Sequence, residues 1–132
     1  MRIKFLTFFS LILICFFSCQ KTDINGDLDG EWEVMSVTPA PPMWDKDERI
    51  FYNFGQHVCQ LTIYGGPFTE GNMTYNGKEM NLDFPFIDTP DKQLQLKQYG
   101  IYSNPVSFEV HFESKSRLIL SNDESTIILR KF

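Results

Sequence analysis

From Gly30 onward, apolar and polar side chains alternate with a period of two almost to the end of the chain. That spacing belongs to half-buried β-strands, not to helices. Trp32, Val34 and Ser36 alternate with Glu31, Glu33 and Met35 in a first strand. Thr38 to Glu48 contains Pro39, Pro41 and Pro42, which cannot donate ladder hydrogen bonds, so this stretch reads as a loop. Ile50, Tyr52 and Phe54 begin a second strand, with a bend or bulge at Gly55. Cys59, Leu61 and Ile63 alternate with Gln60 and Thr62 in a third, which ends at Gly65-Gly66-Pro67.

Asn76-Gly77 separates two alternating runs, and that dipeptide suits the positive φ angles of a type I′ turn. It predicts a hairpin of 68–75 with 78–84, in which Met80, Leu82 and Phe84 share one face. The stretch from Pro85 to Pro105 reads as irregular, with a short strand at Leu94 to Lys97. Phe108, Val110 and Phe112 open a final meander that continues through Arg117–Ser121 and Thr126–Phe132. No amphipathic helix is visible. The expected side chains inside are Trp32, Val34, Ile50, Tyr52, Phe54, Cys59, Leu61, Ile63, Met73, Tyr75, Met80, Leu82, Phe84, Phe108, Val110, Phe112, Leu118, Leu120 and Ile128. About eight strands joined mostly by short turns must hide their edges. The expected fold is all-β, a single antiparallel up-and-down barrel.

The first residues follow another rule. Met1-Arg2-Ile3-Lys4 is basic, and Phe5 to Phe17 is apolar apart from Thr7 and Ser10. That run is too short to span a bilayer as a helix and fits the core of a secretory signal. Phe16-Phe17-Ser18-Cys19 resembles a lipobox, the site where a bacterial signal peptidase cuts before a lipid-modified cysteine. The expected organisation is therefore a signal peptide at 1–18, lipidated Cys19 with a tether at 19–27, and a barrel domain at 28–132. Gln20, not Asp, follows the cysteine, which points to the outer membrane. The expected address is a lipid-anchored protein of the cell envelope.

Composition sharpens this picture. The 132 residues allow one domain, and 42% hydrophobic residues is ordinary for a globular fold. Without Arg2 and Lys4, 10 basic side chains face 17 acidic ones, a formal charge of −7. Such a balance excludes nucleic acid as a partner, because phosphate binding needs clustered cations. Removal of Cys15 and acylation of Cys19 leave Cys59 alone, in the apolar run Val58 to Ile63. It reads as a small buried hydrophobe, not as a thiol activated by His57.

Gly30-Glu31-Trp32 at the head of the first strand resembles the Gly-x-Trp signature of lipocalins, and Arg130 stands where many of them place a basic residue across that Trp. More closely, the chain resembles the short lipocalin-like lipoproteins of gut Gram-negative bacteria. These combine a lipobox, an opening Gly-x-Trp strand and a close similar to Ser121-Asn122-Asp123 through Leu129-Arg130-Lys131-Phe132. The resemblance covers Leu28 to Phe132 and implies a lipocalin-like barrel. It also implies a structural trio of Gly30, Trp32 and Arg130. A guanidinium over the indole would tie the first strand to the last.

Candidate chemistry is sparse. The chain has no nucleophile elbow, no His-x-x-x-His and no Cys-x-x-Cys. Glu109, His111 and Glu113 share one strand face, where a solvated surface is the expected reading and a metal is not. Asn25 to Gly30 echoes a calcium loop, but the twelfth position from Asn25 is Ser36, not the required Glu. No cofactor, no metal and no enzyme activity are expected. Met43 and Trp44 in the first loop read as a lid over a ligand, an anchor for a partner, or a core plug. Tyr99 and Tyr102 fall in the second long loop, Phe86 to Asn104, which is expected near a barrel mouth too. Two functions are expected, a first reading and an alternative to it. One is binding of a small apolar or amphipathic ligand at the mouth; the other is a filled barrel acting through its loops as a protein-binding accessory subunit or inhibitor. The bulk of the inward side chains leans towards a filled interior.

Overall fold

The computed structural model describes residues 24–41, 47–66 and 68–132. Signal peptide, Cys19, Met43 and Trp44 lie outside the described residues. Eight strands follow in order: β1 (Gly30–Thr38), β2 (Ile50–Gly55), β3 (Val58–Ile63), β4 (Phe68–Tyr75), β5 (Glu79–Asp83), β6 (Val106–Ser114), β7 (Arg117–Ser121) and β8 (Thr126–Lys131). Each pairs antiparallel with the next, and β8 pairs with β1, so the sheet closes into an up-and-down barrel with no free edge.

Strand direction assigns every connection to one of two poles. The N-terminal pole holds the entry segment, with a one-turn 3-10 helix at Gly26–Leu28, and the short β2–β3, β4–β5 and β6–β7 turns. The loop pole holds the β1–β2, β3–β4, β5–β6 and β7–β8 connections. At the β4–β5 turn, Gly77 has a positive φ (95°) and Asn76 does not. Asn76 N–H donates to Glu79 O at 3.2 Å, and the Asn76 side chain accepts from Lys78 and Glu79 N–H. The central pair is therefore Gly77-Lys78, the arrangement of a type II′ turn instead of the expected I′.

The core is the inward face expected from the alternation, except in two strands. A bulge in β1 between Val34 and Ser36 shifts its register against β8. Beyond it Val37 is buried, whereas Ser36 is only half-buried. In β8 the inward residues are Ile127 and Leu129, and Ile128 points outward. A slip of one residue exchanges the faces of a strand. Apolar residues at 127, 128 and 129 left both parities open.

The stretch expected to hold a short strand at Leu94 to Lys97 is instead a helix, α1 (Pro90–Lys97). Its local signals are clear: the Thr89 side chain caps Lys92 N–H at 3.3 Å, Pro90 opens the first turn, and Lys97 closes the last. It buries only Leu96, so no apolar stripe marks it in the pattern.

Candidate functional site

Both ends of the barrel are stoppered. At the N-terminal pole Leu28 is fully buried, and Trp32 Nε1–H donates to its carbonyl oxygen at 2.8 Å. The cation over Trp32 is Lys131, whose Nζ lies 4.7 Å from the ring centroid. Lys131 also donates to the carbonyls of Asp29 and, at 3.3 Å, of Asp27. Arg130, expected in that place, sits on the outer wall, 3.8 Å from Glu33. The register explains the exchange. Trp32 pairs with Lys131 and Glu33 with Arg130, and directly opposed residues project from the same face. Gly30, the third member of the trio, has φ +122°, and a Cβ there would meet Lys131 Nζ at 2.8 Å.

At the loop pole the last turn of α1 and the segment after it close the mouth. Leu96, Tyr99 and Ile101 are buried there within the core cluster. Tyr52, inside the barrel, donates its buried hydroxyl to the Tyr99 carbonyl. Ser125 Oγ–H donates to Gly100 O at 2.8 Å, and Tyr102 Oη–H donates to Pro39 O at 2.8 Å. The Asn104 side chain accepts from Phe84 N–H at 2.9 Å and donates to Phe84 O and Ile87 O. These bonds satisfy backbone groups that the irregular segment would otherwise bury unpaired. Tyr99 and Tyr102, read as ligand or partner candidates, both lie in the segment at the loop pole. Their ordered contacts are with the chain itself.

Between the stoppers the middle of the barrel is closely packed. A void wide enough for one water leaves accessible area on the side chains around it. Tyr52, Leu61, Met80, Leu118, Leu120 and Ile127 have none. Burial pushes the Tyr52 phenol well above its ordinary range, and the nearby Cys59 and Tyr99 add to this. Tyr99 rises to about 12, mainly through burial and then through Glu48. Cys59 is fully buried and its thiol is pushed up by desolvation alone, so it stays a neutral thiol at physiological pH. Beside the upper half of β1, a groove of about 450 Å³ is lined both by outward Met35 and by Val34 and Val37 of the core, with Ala40, Glu48 and Arg49. Its Arg49 pairs with Glu33 at 2.6 Å and lies 5.2 Å from the ring centroids of both Phe51 and Phe132. His111 is exposed on β6, and among the described residues no His, Cys, Asp or Glu group is arranged to hold a metal ion.

The model of a lipocalin-like domain matches residues 13–132, nearly the whole chain. The chain belongs to this lipocalin-like family. Two solved structures extend the comparison. A lipocalin-like protein from Bacteroides uniformis ATCC 8492 is 25% identical, with a TM-score of 0.60 over 81% of this chain and 100% of that one. An uncharacterized protein from Bacteroides eggerthii DSM 20697 shares the fold at 12% identity, with a TM-score of 0.53 over 79% of this chain and 98% of that one. No curated protein matches the chain. Within the lipocalin-like family, the loop-pole stopper is what sequence reasoning missed. Thr89-Pro90-Asp91 was the available signal, a helix start whose physical marks are independent of amphipathicity.

Proposed function

We propose that this protein is a non-enzymatic envelope lipoprotein, held to the outer membrane by acylated Cys19, which acts through the loop pole of a filled barrel as a protein-binding accessory subunit or inhibitor. The observation that carries this reading is the stoppered, filled interior. An eight-stranded barrel is just wide enough to be filled by its own side chains or to hold one small ligand. Here the side chains occupy that space, and Leu96, Tyr99 and Ile101 cover the mouth. What remains for recognition is the outside. The described chain begins at the N-terminal pole, and Cys19 precedes buried Leu28 by only nine positions. A tether from there holds that pole towards the bilayer and turns the loop pole away from it.

A second reading, binding of a small apolar or amphipathic ligand, is favoured by the barrel type and by the groove beside Met35 and Ala40. Native mass spectrometry of the protein released from its own host separates the two. The protein-binding reading expects an empty barrel and a partner retained with it. A stoichiometric small molecule in place of the partner would transfer the assignment to the second reading. Lipid anchoring is checked by Cys19→Ser, which is expected to abolish incorporation of labelled palmitate; continued labelling would remove the anchor from the proposal.

A further inference from the structure

Scattered single apolar residues on a surface need no explanation, and Ile24, Val58 and Phe132 are exposed in this way at the N-terminal pole, but four others share one rim at the loop pole. Tyr64 (75% exposed) lies in the β3–β4 connection and Phe68 (59%) opens β4; Phe86 (81%) and Leu94 (57%) lie in the β5–β6 connection. These two connections flank the same strand end. Phe68 pairs with Thr62 of β3, and on the other side Phe84 lies so close to β4 that a Cβ on Gly71 would come 2.6 Å from its ring. Three aromatic side chains and a leucine are thus presented from neighbouring parts of one rim. Large, stiff aromatic side chains are the type that anchors a protein interface.

Charge is uneven in the same sense. Around these side chains, the β4 and β5 ends, the β5–β6 connection and the β7–β8 turn carry Glu70, Asp83, Asp88, Asp91, Asp123 and Glu124. Lys92 and Lys97 oppose them there, Lys92 already 3.3 Å from Asp88, and Arg49, paired with Glu33, lies 6.0 Å from the Tyr64 ring centroid. At the N-terminal pole the signs nearly balance: Asp27, Asp29, Glu31, Glu79, Glu109 and Glu113 meet Lys78, Lys115, Arg117, Arg130 and Lys131. Among the described residues most of the excess negative charge therefore lies at the loop pole, where Tyr64, Phe68 and Phe86 are exposed.

We infer that the loop pole is a docking surface for a positively charged protein, whose apolar pockets receive Phe86, Phe68 and Tyr64 while its cations face the carboxylates of the rim. This rests on the reading that the barrel acts on a protein and names the kind of protein. An acidic rim disfavours an anionic bilayer surface, and two such rims repel one another, so neither a membrane nor a second copy fits as well. Complementary charge also speeds the encounter and makes it sensitive to salt.

The test uses the full lipoprotein in the envelope of its own host, with a photoreactive phenylalanine at position 86. Val58, 42% exposed at the N-terminal pole, is the control position. A discrete protein adduct is expected from 86 and not from 58, and its cross-linked segment carries net positive charge. Yield in isolated envelopes falls as salt is raised. It falls about tenfold when the rim is reversed with Glu70→Lys and Asp83→Lys, whereas Glu79→Lys at the other pole leaves it unchanged. An adduct to an acidic or neutral protein, or a yield indifferent to salt and to rim reversal, overturns the positively charged partner and leaves protein binding standing. Adducts to lipid alone would replace the protein with a membrane. No adduct from position 86, together with a bound small molecule, removes the protein-binding reading itself.

Discussion

Lys131 stands over Trp32, its ammonium 4.7 Å from the ring centroid, while Arg130 one residue earlier points to the opposite side of the sheet. The pair joins the first strand to the last at the point where the barrel closes. Lys131→Ala is expected to cost about 1–2 kcal/mol, from the lost cation–π contact and two carbonyls left without their donor. Arg130→Ala, at an exposed ion pair, is expected to cost under about 0.5 kcal/mol. Urea denaturation of the two variants checks the order; an equal or reversed loss would return the clamp to Arg130.

The stopper makes a second comparison. Leu96 is buried at the mouth and Leu94, two residues earlier on the same helix, is exposed. Leu96→Ala is expected to lower stability by about 2–5 kcal/mol, and Leu94→Ala by less than about 0.5. If both variants unfold with the wild-type midpoint, the helix does not hold the mouth shut.

Gly100 lies beneath the stopper with φ +83°, and a Cβ there would fall 2.9 Å from Val37 and 3.0 Å from Ile127. Gly77 also has a positive φ but opens into free space. Gly77→Ala is expected to cost about 1 kcal/mol, the backbone contribution alone, and Gly100→Ala about 2–4, since overpacking adds to it. Thermal melts of the two variants distinguish the contributions. A Gly100→Ala protein no weaker than Gly77→Ala would mean the segment lifts away at little cost.

Alkaline pH gives a fourth test. Tyr52, Tyr99 and Cys59 all ionise less readily in the fold than their ordinary values of 10, 10 and 9, because burial disfavours the charged form. The folded state therefore holds these protons where the unfolded chain releases them. Their contribution is fully present below about pH 9 and is lost as pH rises through the unfolded and then the raised folded values. Stability is expected to fall from about pH 9 upward. Tyr52→Phe should flatten that fall, while costing about 1–3 kcal/mol at neutral pH by leaving the Tyr99 carbonyl unpaired. Urea midpoints between pH 7 and 11 check both effects; an unchanged alkaline slope in the variant would show that Tyr52 is not the buried phenol responsible.

Alternation made most of the wall legible. Tyr52 and Phe54, Cys59 and Leu61, Met80 and Leu82, Leu118 and Leu120 all point where a period of two sends them. It failed where the local pattern carried no parity. Ile127-Ile128-Leu129 is apolar at each position, and the choice between faces came from pairing with β1 after its bulge. Arg130 and Lys131 inherited that choice, so the resemblance placed a cation of the last strand across Trp32 but named Arg130 where the structure has Lys131. The stopper failed for another reason. Leu96, Tyr99 and Ile101 are buried by a segment that is mostly polar and irregular, and its packing partners Tyr52, Val37 and Ser125 lie far away in sequence.

What the chain alone determines is therefore the class of wall: antiparallel strands, a barrel of about eight, and its family, because strand period, turn chemistry and the Gly-x-Trp start are local properties. The register of β8, the identity of the cation on Trp32 and the filling of the mouth were decided only in three dimensions. Each depends on which residues from distant segments compete for one buried space, and local spacing holds no record of that competition.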